Sequence, residues 1–346
     1  MNQIPNMINL LHLSIKGHTF GIGHYTRQRN LAQFSQEKGW ESKLSTIDEN
    51  DSLETIKTKL EFGVFNPHYI LMDFDPRFVV TYKEFFIDAL QNYKNKDYKV
   101  IVFESDKEFS ITNFFKQFDF DLIIFPHGNL GVQRINRSIL GFGLSVFSHE
   151  AERTREIRIA RENYANEFLI SCGGSDPFNI STIYVQSLEK LAPIGTRVCL
   201  VIGEFFDSAQ INELKILAKS SRLNLRLVHR PNDISLLLLN SRIALTTGGL
   251  TRNEAIFLTV PSIIIDINPE QNRSTNLFAL QGALLSAGLF DANNPQLTSF
   301  ELERSLKIVL HKRELLSEIS NNARLAIPEN GARLILKELE NQVEQG

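Results

Sequence analysis

Three glycine-rich turns and one polar cluster hold the residues of this 346-residue chain whose types and spacing suit chemistry. The first turn reads Gly17-His18-Thr19-Phe20-Gly21-Ile22-Gly23-His24-Tyr25-Thr26-Arg27. It follows an apolar run and opens an amphipathic stretch. Gly21 and Gly23 permit a tight turn and close approach of a ligand to the backbone. The helix start beyond them offers unpaired N–H groups and partial positive charge. His24 stands at the mouth of the turn, where an imidazole can act as a general base near neutral pH. Arg27 follows one helical turn later. The competing reading is a glycine turn with an incidental histidine. The place of the motif directly after the first strand favours the ligand reading.

The second turn is Ser171-Cys172-Gly173-Gly174-Ser175-Asp176-Pro177. Gly174, Ser175 and Asp176 ahead of a helix suit a phosphate or a bound sugar. Equally, Asp176 or Asn179 caps that helix and does nothing else. The sequence weighs the two evenly.

The third is Thr246-Thr247-Gly248-Gly249-Leu250-Thr251-Arg252-Asn253-Glu254-Ala255. A strand ends in Gly248-Gly249 and a helix begins at once. Thr251 brings a hydroxyl to an anion site, and Glu254 lies one turn later on the same face, where a carboxylate can accept both hydroxyls of a ribose. The alternative is a capping box of Thr251 with Glu254; the glycine pair favours a ligand. The polar cluster, Pro269-Glu270-Gln271-Asn272-Arg273, follows another strand, at the end where open α/β sheets bind ligands. A polar loop capping the next helix explains it as well. Asp73-Phe74-Asp75 has the DxD form that holds a metal diphosphate in some sugar transferases. Here it ends a buried-looking strand, so a structural or acceptor-side role without metal is expected.

The elements that position these residues alternate along the whole chain. Apolar runs at Ile8–Ile15, Lys43–Ile47, Tyr69–Phe74, Lys99–Phe103 and Asp121–Phe125 are expected as strands of a first half. Those at Glu167–Cys172, Arg197–Ile202, Leu223–Val228, Arg242–Thr246 and Ser262–Ile267 form a second. They suit parallel strands covered on both faces. Helical patterns fall at Tyr25–Lys38, Tyr82–Tyr93, Ser181–Leu191, Ala209–Ser220, Arg252–Leu258 and Arg273–Ala287. The fold class is α/β with doubly wound sheets. The length suits two domains, taken as 1–155 and 156–346, with the final helix packing back on the first. The charged stretch Glu150–Glu156 reads as a solvated helix or linker, and the boundary is expected near 150–166.

Composition narrows the partners. A net charge of −3 leaves no basic footprint for nucleic acid. Cys172 and Cys199 each sit in an apolar run and read as buried thiols in a reducing compartment. No Cys/His grouping has zinc spacing. The Met1–Asn6 segment has no basic n-region of a signal peptide, and no run reaches a membrane span. The expectation is a cytoplasmic enzyme without cofactor or metal.

Taken together, the GxGHxxR turn, the Gly-Gly-Ser-Asp strand end and the GGxTxxE segment resemble one family. It comprises the UDP-sugar hydrolases of pseudaminic acid synthesis (PseG-like) and the spore-coat polysaccharide proteins similar to them (SpsG-like). Its second half resembles the MurG-like glycosyltransferases. The resemblance is strong at Gly21–Arg27 and Thr246–Gly282 and weak over Asn50–Glu150. It implies the GT-B architecture, two Rossmann-like domains facing across a cleft, with the nucleotide held by the C-terminal one. It implies that His24 is the catalytic histidine and that Gly249, Thr251 and Glu254 hold diphosphate and ribose. It places His229, Asn232 and Ile234 in the loop beside the base, and Gln271 in an Asn-Gln pair. Two positions depart from the hydrolases: Ser14-Ile15-Lys16-Gly17-His18 replaces their Arg-Ala-Asp stretch, and Glu270 replaces the Asn of the pair. Both lie near the reacting sugar in that family. The reading that follows is an inverting glycosyltransferase of bacterial surface-glycan synthesis with a UDP-sugar donor. The alternative is a hydrolase whose acceptor is water. A transferase takes a glycan or small-molecule acceptor, with peripheral membrane association if that acceptor is lipid-linked.

Overall fold

The computed structural model describes residues 7–104, 110–126, 138–161 and 167–344. The Met1–Asn6 reading and residues 162–166 of the expected boundary lie outside them. The chain divides into two compact units, Met1–Phe147 with Asn330–Gly346, and Ser148–Glu329.

The first unit contains strands β1 (Asn9–Lys16), β2 (Glu41–Asp48), β3 (Tyr69–Asp73), β4 (Lys99–Phe103), β5 (Leu122–Phe125) and β6 (Ser138–Leu140). All pair parallel, in the order β2-β1-β3-β4-β5-β6. Helices α1 (Gly23–Glu37), α2 (Leu53–Glu61), α3 (Pro76–Thr81), α4 (Lys83–Asn95) and α5 (Ile111–Phe114) connect them. Alternation along β1 shows how both faces are buried. Leu11, Leu13 and Ile15 join one core cluster with Ile56, Phe86 and Tyr93 of α2 and α4. Ile8 and Leu10 join the other, with Leu31 and Phe34 of α1. A parallel sheet with helices on both faces demands such strands, apolar on each side.

The second unit contains β7 (Glu167–Ser171), β8 (Arg197–Ile202), β9 (Asn224–His229), β10 (Ile243–Thr247), β11 (Ser262–Asp266) and β12 (Leu285–Leu289). These are also parallel, in the order β12-β11-β10-β7-β8-β9. Its helices are α6 (His149–Ala160), α7 (Ile180–Leu191), α8 (Ser208–Ser220), α9 (Ser235–Leu239), α10 (Leu250–Phe257), α11 (Pro269–Leu280), α12 (Pro295–His311) and α13 (Arg313–Ala326). The last helix, α14 (Gly331–Glu344), belongs to the first unit, where Ile335, Leu336 and Leu339 enter the same cluster as Leu31. Gly331 is required at its start, because a Cβ there would overlap the backbone of Leu144.

Two expectations are corrected. The charged stretch at 150–156 is the helix rather than the linker of the two forms expected, but only one side of it is solvated: it is part of α6, capped by the Ser148 hydroxyl, which accepts from the Ala151 N–H at 3.1 Å. Arg155 and Arg158 turn inward. The fully buried Arg158 guanidinium donates to the carbonyls of Leu238, Leu239 and Ser241 at 2.9–3.1 Å, closing the C-terminal end of α9. Arg155 donates to the carbonyls of Phe257 and Ile327. The second unit therefore begins at Ser148 rather than at 156. The helix expected over Arg273–Ala287 stops at Leu280, because Gly282 takes a left-handed φ of 68° and its N–H bonds to the Ala279 carbonyl. The chain then re-enters the sheet as β12.

Replacing Arg158 by Met leaves three buried carbonyls without their shared donor. This should lower the unfolding free energy by about 2–4 kcal/mol in denaturant titration. A loss under about 0.5 kcal/mol, the range of surface changes, would show that Arg158 does not anchor α6.

Candidate active site

In each sheet the strand order reverses direction once, and the crevice at such a switch is where open α/β sheets bind ligands. In the first unit the switch lies between β1 and β3, which pair with Ser14 opposite Asp73. The chain leaving β1 closes a small loop, Gly17 N–H to Gly21 C=O at 3.0 Å and the reverse at 2.7 Å. Glu49 grips that loop through the His18 and Thr19 amides at 2.6 and 2.8 Å. Gly17 lacks a Cβ where the Glu49 carboxylate lies. Gly21 has φ 69°, and Gly23 starts α1, whose N-cap Ile22 supplies no side-chain acceptor.

His24, the second residue of α1, holds its Nδ1 2.7 Å from Oδ1 of Asp73 at the end of β3. Arg27 donates to both Asp73 oxygens, each at 2.6 Å, and Gln28 Nε2 donates to Oδ2 at 3.0 Å. His12 Nδ1 reaches Gln28 Oε1 at 2.8 Å. Burial pushes the Asp73 carboxyl up, but the Arg27 charge, the Arg27 bonds and the His24 contact outweigh it and hold the carboxyl well below the usual range. An ionised Asp73 makes Nδ1 of His24 the protonated nitrogen and leaves Nε2 to accept a proton. The His24 side chain is 18% exposed while Asp73 is sealed. A general base needs this combination, a fixed tautomer on one side and access on the other.

Arg27, from the same motif, is 5% exposed and its guanidinium is turned inward onto Asp73. Asp73 itself, left open as structural or acceptor-side, orients His24. Asp75 caps α3 through the Arg77 N–H and pairs with the Arg77 side chain, so both carboxylates of the DxD are engaged within the protein. Among the described residues no group of three or more His, Cys, Asp or Glu is arranged to hold a metal.

In the second unit the switch lies between β7 and β10, where Ser171 opposes Thr246, so the two Gly-Gly turns stand side by side. After β7, Gly174 C=O accepts from the Phe205 N–H at 2.8 Å, and Gly203 must lack a Cβ to lie against the Gly173 and Gly174 carbonyls. Asp176, with φ 44°, gives its buried carboxylate to the Ile180 and Ser181 amides at 2.8 and 2.9 Å. Its side chain is thus the cap of α7, the structural of the two sequence readings. Gly174 and Ser175 remain half-buried at the strand end.

After β10, Gly249 is the N-cap of α10 with φ 124° and offers no side-chain acceptor. Thr251 and Glu254 are therefore the second and fifth helical residues, too far along for a capping box. They are half-buried, three residues apart, and share one face. Gln271 packs on this turn: a Cβ at Gly248 would overlap Gln271 and the Asp266 carboxylate. The Gln271 N–H bonds to the cap Asn268 at 2.8 Å, and its Oε1 accepts from Ile267 N–H at 3.1 Å. Glu270, in the first turn of α11, is half-buried. His229 ends β9, and Asn232 and Ile234 follow it, at the sheet edge three strand positions from β10, so pairing does not bring them beside the glycine turns. His229 and Asn232 are exposed, and Ile234 is the N-cap of α9.

The chain is similar in fold, and over part of its sequence, to known proteins. No family model matches the chain. Over 164 residues it is 24% identical to the spore coat polysaccharide biosynthesis protein SpsG of Bacillus subtilis (strain 168), a stretch covering 44% of this chain and 48% of that protein. The matched region thus spans about half the length of that relative. The fold is similar to MurG of Acinetobacter baumannii, with TM-score 0.61 and 12% identity over 96% of this chain and 99% of that one. It is also similar to a putative UDP-N-acetylglucosamine 2-epimerase from Listeria monocytogenes, with TM-score 0.62 and 12% identity over 98% of each chain. Anabaena HepE, crystallised with UDP and glucose, gives TM-score 0.60 and 12% identity over 97% and 99%. These likenesses show the fold, an α/β architecture of the GT-B class with two parallel six-stranded sheets. In sequence the chain resembles SpsG over the matched 44% of its length. Among the described residues no helix is long and apolar enough to cross a membrane.

One carboxyl in the first unit escaped sequence reading. Glu104, just past β4, is buried and accepts from the Ile111 and Thr112 amides at 3.1 and 2.7 Å. Burial outweighs those bonds and pushes it up to about 7. A raised folded-state value means the protonated form is the stabilising one. Its contribution is complete below about pH 4.5 and is lost as pH rises to about 7. Melting curves of Glu104→Gln should therefore lack a stability decline, on the order of 3 kcal/mol, that the unaltered protein shows across that window. Parallel pH profiles for both proteins would refute the assignment.

Proposed function

We propose that this protein is an inverting, UDP-sugar-dependent glycosyltransferase of surface-polysaccharide synthesis. The observation that carries the reading is the sealed Asp73 carboxylate holding Nδ1 of the partly exposed His24. This is how an imidazole is set to take a proton from a hydroxyl. The likeness to SpsG supports the polysaccharide context, and the HepE structure with UDP supports a UDP-sugar donor on this fold.

In this reading the second unit holds the donor. The amides at the start of α10 and the Thr251 hydroxyl take the diphosphate beside Gly248 and Gly249, and Glu254 takes the ribose hydroxyls. His229, Asn232 and Ile234 lie along the base. Gly174, Ser175, Glu270 and Gln271 take the sugar, and Gly21 and Gly23 form the turn beside His24. An acceptor hydroxyl loses its proton to Nε2 of His24 and forms a bond to the anomeric carbon. The bond from that carbon to the diphosphate oxygen breaks, and UDP leaves with the electron pair. One displacement inverts the anomeric centre. Negative charge growing on UDP is met by the helix amides, which are already oriented. The acceptor is a glycan or small molecule, and a lipid-linked one would bring the protein to a membrane surface.

UDP release from a panel of UDP-sugars, with and without candidate acceptors, tests this. Release that needs an acceptor supports the transferase; equally fast release without one makes water the acceptor and the protein a hydrolase. In either case His24→Ala and Asp73→Asn should each lower kcat by about 10²–10⁴-fold, with UDP affinity unchanged in His24→Ala. Unimpaired turnover in His24→Ala would remove the histidine from the mechanism.

A further inference from the structure

The turn proposed to hold the diphosphate is built over a buried carboxylate. Asp266, the last residue of β11, is fully buried, and a Cβ at Gly248 would overlap its Oδ1. An ionised carboxylate so placed repels a diphosphate. Its partners are the Thr275 hydroxyl, which donates to Oδ1 at 2.7 Å, and the Asn272 amide at 3.3 Å. Thr275 Oγ1 is also the acceptor for Arg252 Nη1 at 2.9 Å.

Arg252 is unusual in its own right. It is the third residue of α10, 1% exposed, with its guanidinium over the Phe278 ring. Its acceptors are neutral groups: Asn253 Oδ1, Ser274 Oγ, Thr275 Oγ1 and the Gln271 carbonyl. Among the described residues no carboxylate bonds to it; Asp266 and Glu270 act on it through space. A buried cation at the base of the helix thus reaches its nearest bonded carboxylate through one hydroxyl.

We propose that Arg252 sets the anion affinity of the glycine turn by cancelling, through Thr275, the negative charge of Asp266 beneath it. This deepens the donor-binding reading and rests on it. Arg252 is a positioning residue here: it shapes the charge of the site without touching the ligand. The pull on a ligand then scales with the ligand's phosphate charge, which a purely structural arginine would not produce.

Titration calorimetry with uridine, UMP and UDP tests this on the whole chain. Arg252→Met should weaken UDP by about tenfold or more, UMP by less and uridine by under about twofold. Adding Asp266→Asn removes the uncancelled carboxylate, so the Arg252→Met/Asp266→Asn double variant should return UDP affinity to within about threefold of the unaltered protein. Thr275→Val keeps both charges but breaks the bonded link and should follow the same phosphate order; it serves if Arg252→Met does not fold. Equal losses for uridine and UDP, or no rescue by Asp266→Asn, would overturn the proposal while leaving donor binding intact. If the unaltered protein binds none of the three, both readings fall together.

Discussion

A carboxylate with no solvent around it stays ionised only where cations and N–H donors replace the water it has lost. Asp73 takes those donors from the first two turns of one helix. His24, Arg27 and Gln28 stand at i, i+3 and i+4 on α1, a spacing that puts them on one face. The carboxylate therefore fixes the rotation of α1 against β3. Gln28 is held in turn by His12 on β1, so the helix is tied to both strands of the switch. Buried ion pairs of this kind are poor sources of stability, because desolvation consumes most of the Coulombic gain. What this one provides is orientation. The glycine turn before α1 can be open and uncapped because the helix behind it cannot roll.

Topology decides where such a cluster can arise. With every strand parallel, all strands of a sheet end on the same side, and consecutive connections cross to opposite faces only at the switch. Asp73 ends the strand beside β1, and the Gly21–Gly23 turn leaves β1 itself. In the second unit the turns after β7 and β10 meet for the same reason. Residues separated by 49 positions in one unit and by more than 70 in the other are neighbours because strand order makes them so.

That also marks the limit of what could be read from the chain. The strands were legible because burial on both faces leaves nearly unbroken apolar runs, as in Ile8–Ile15 or Ser262–Ile267. The glycine turns were legible because Gly249 at φ 124° and Gly21 at φ 69° need glycine's freedom. Asp176 was ambiguous because a cap and a ligand contact use the same atoms, and only its bonds to Ile180 and Ser181 separate them. Helical spacing places Arg27 on the face of His24 but does not say that a strand-end aspartate lies beneath it. Arg155 looked solvated, and the inward turn of Arg158 went unread, for a similar reason: their acceptors are backbone carbonyls, which have no sequence signature. β12 was hidden in a helical pattern, since Leu-Ser-Ala-Gly-Leu carries little strand preference of its own and is drafted by its pairing with β11.

Asp73 and Asp266 show the same position solved in two ways. Each ends a strand, is buried, and lies beneath or beside a glycine turn. Asp73 meets a guanidinium directly, and its carboxyl is held well below the usual range. Asp266 meets its guanidinium only through the Thr275 hydroxyl, and burial, the larger influence, pushes it up. Direct bonds from a guanidinium, with His24 beside it, outweigh burial at Asp73; at Asp266 burial prevails over a hydroxyl, an amide and a more distant guanidinium. The difference suits the work proposed for each turn. A histidine that must receive a proton gains from a firmly anionic neighbour, whereas a turn that must receive a diphosphate gains from a carboxylate whose charge is cancelled or protonated.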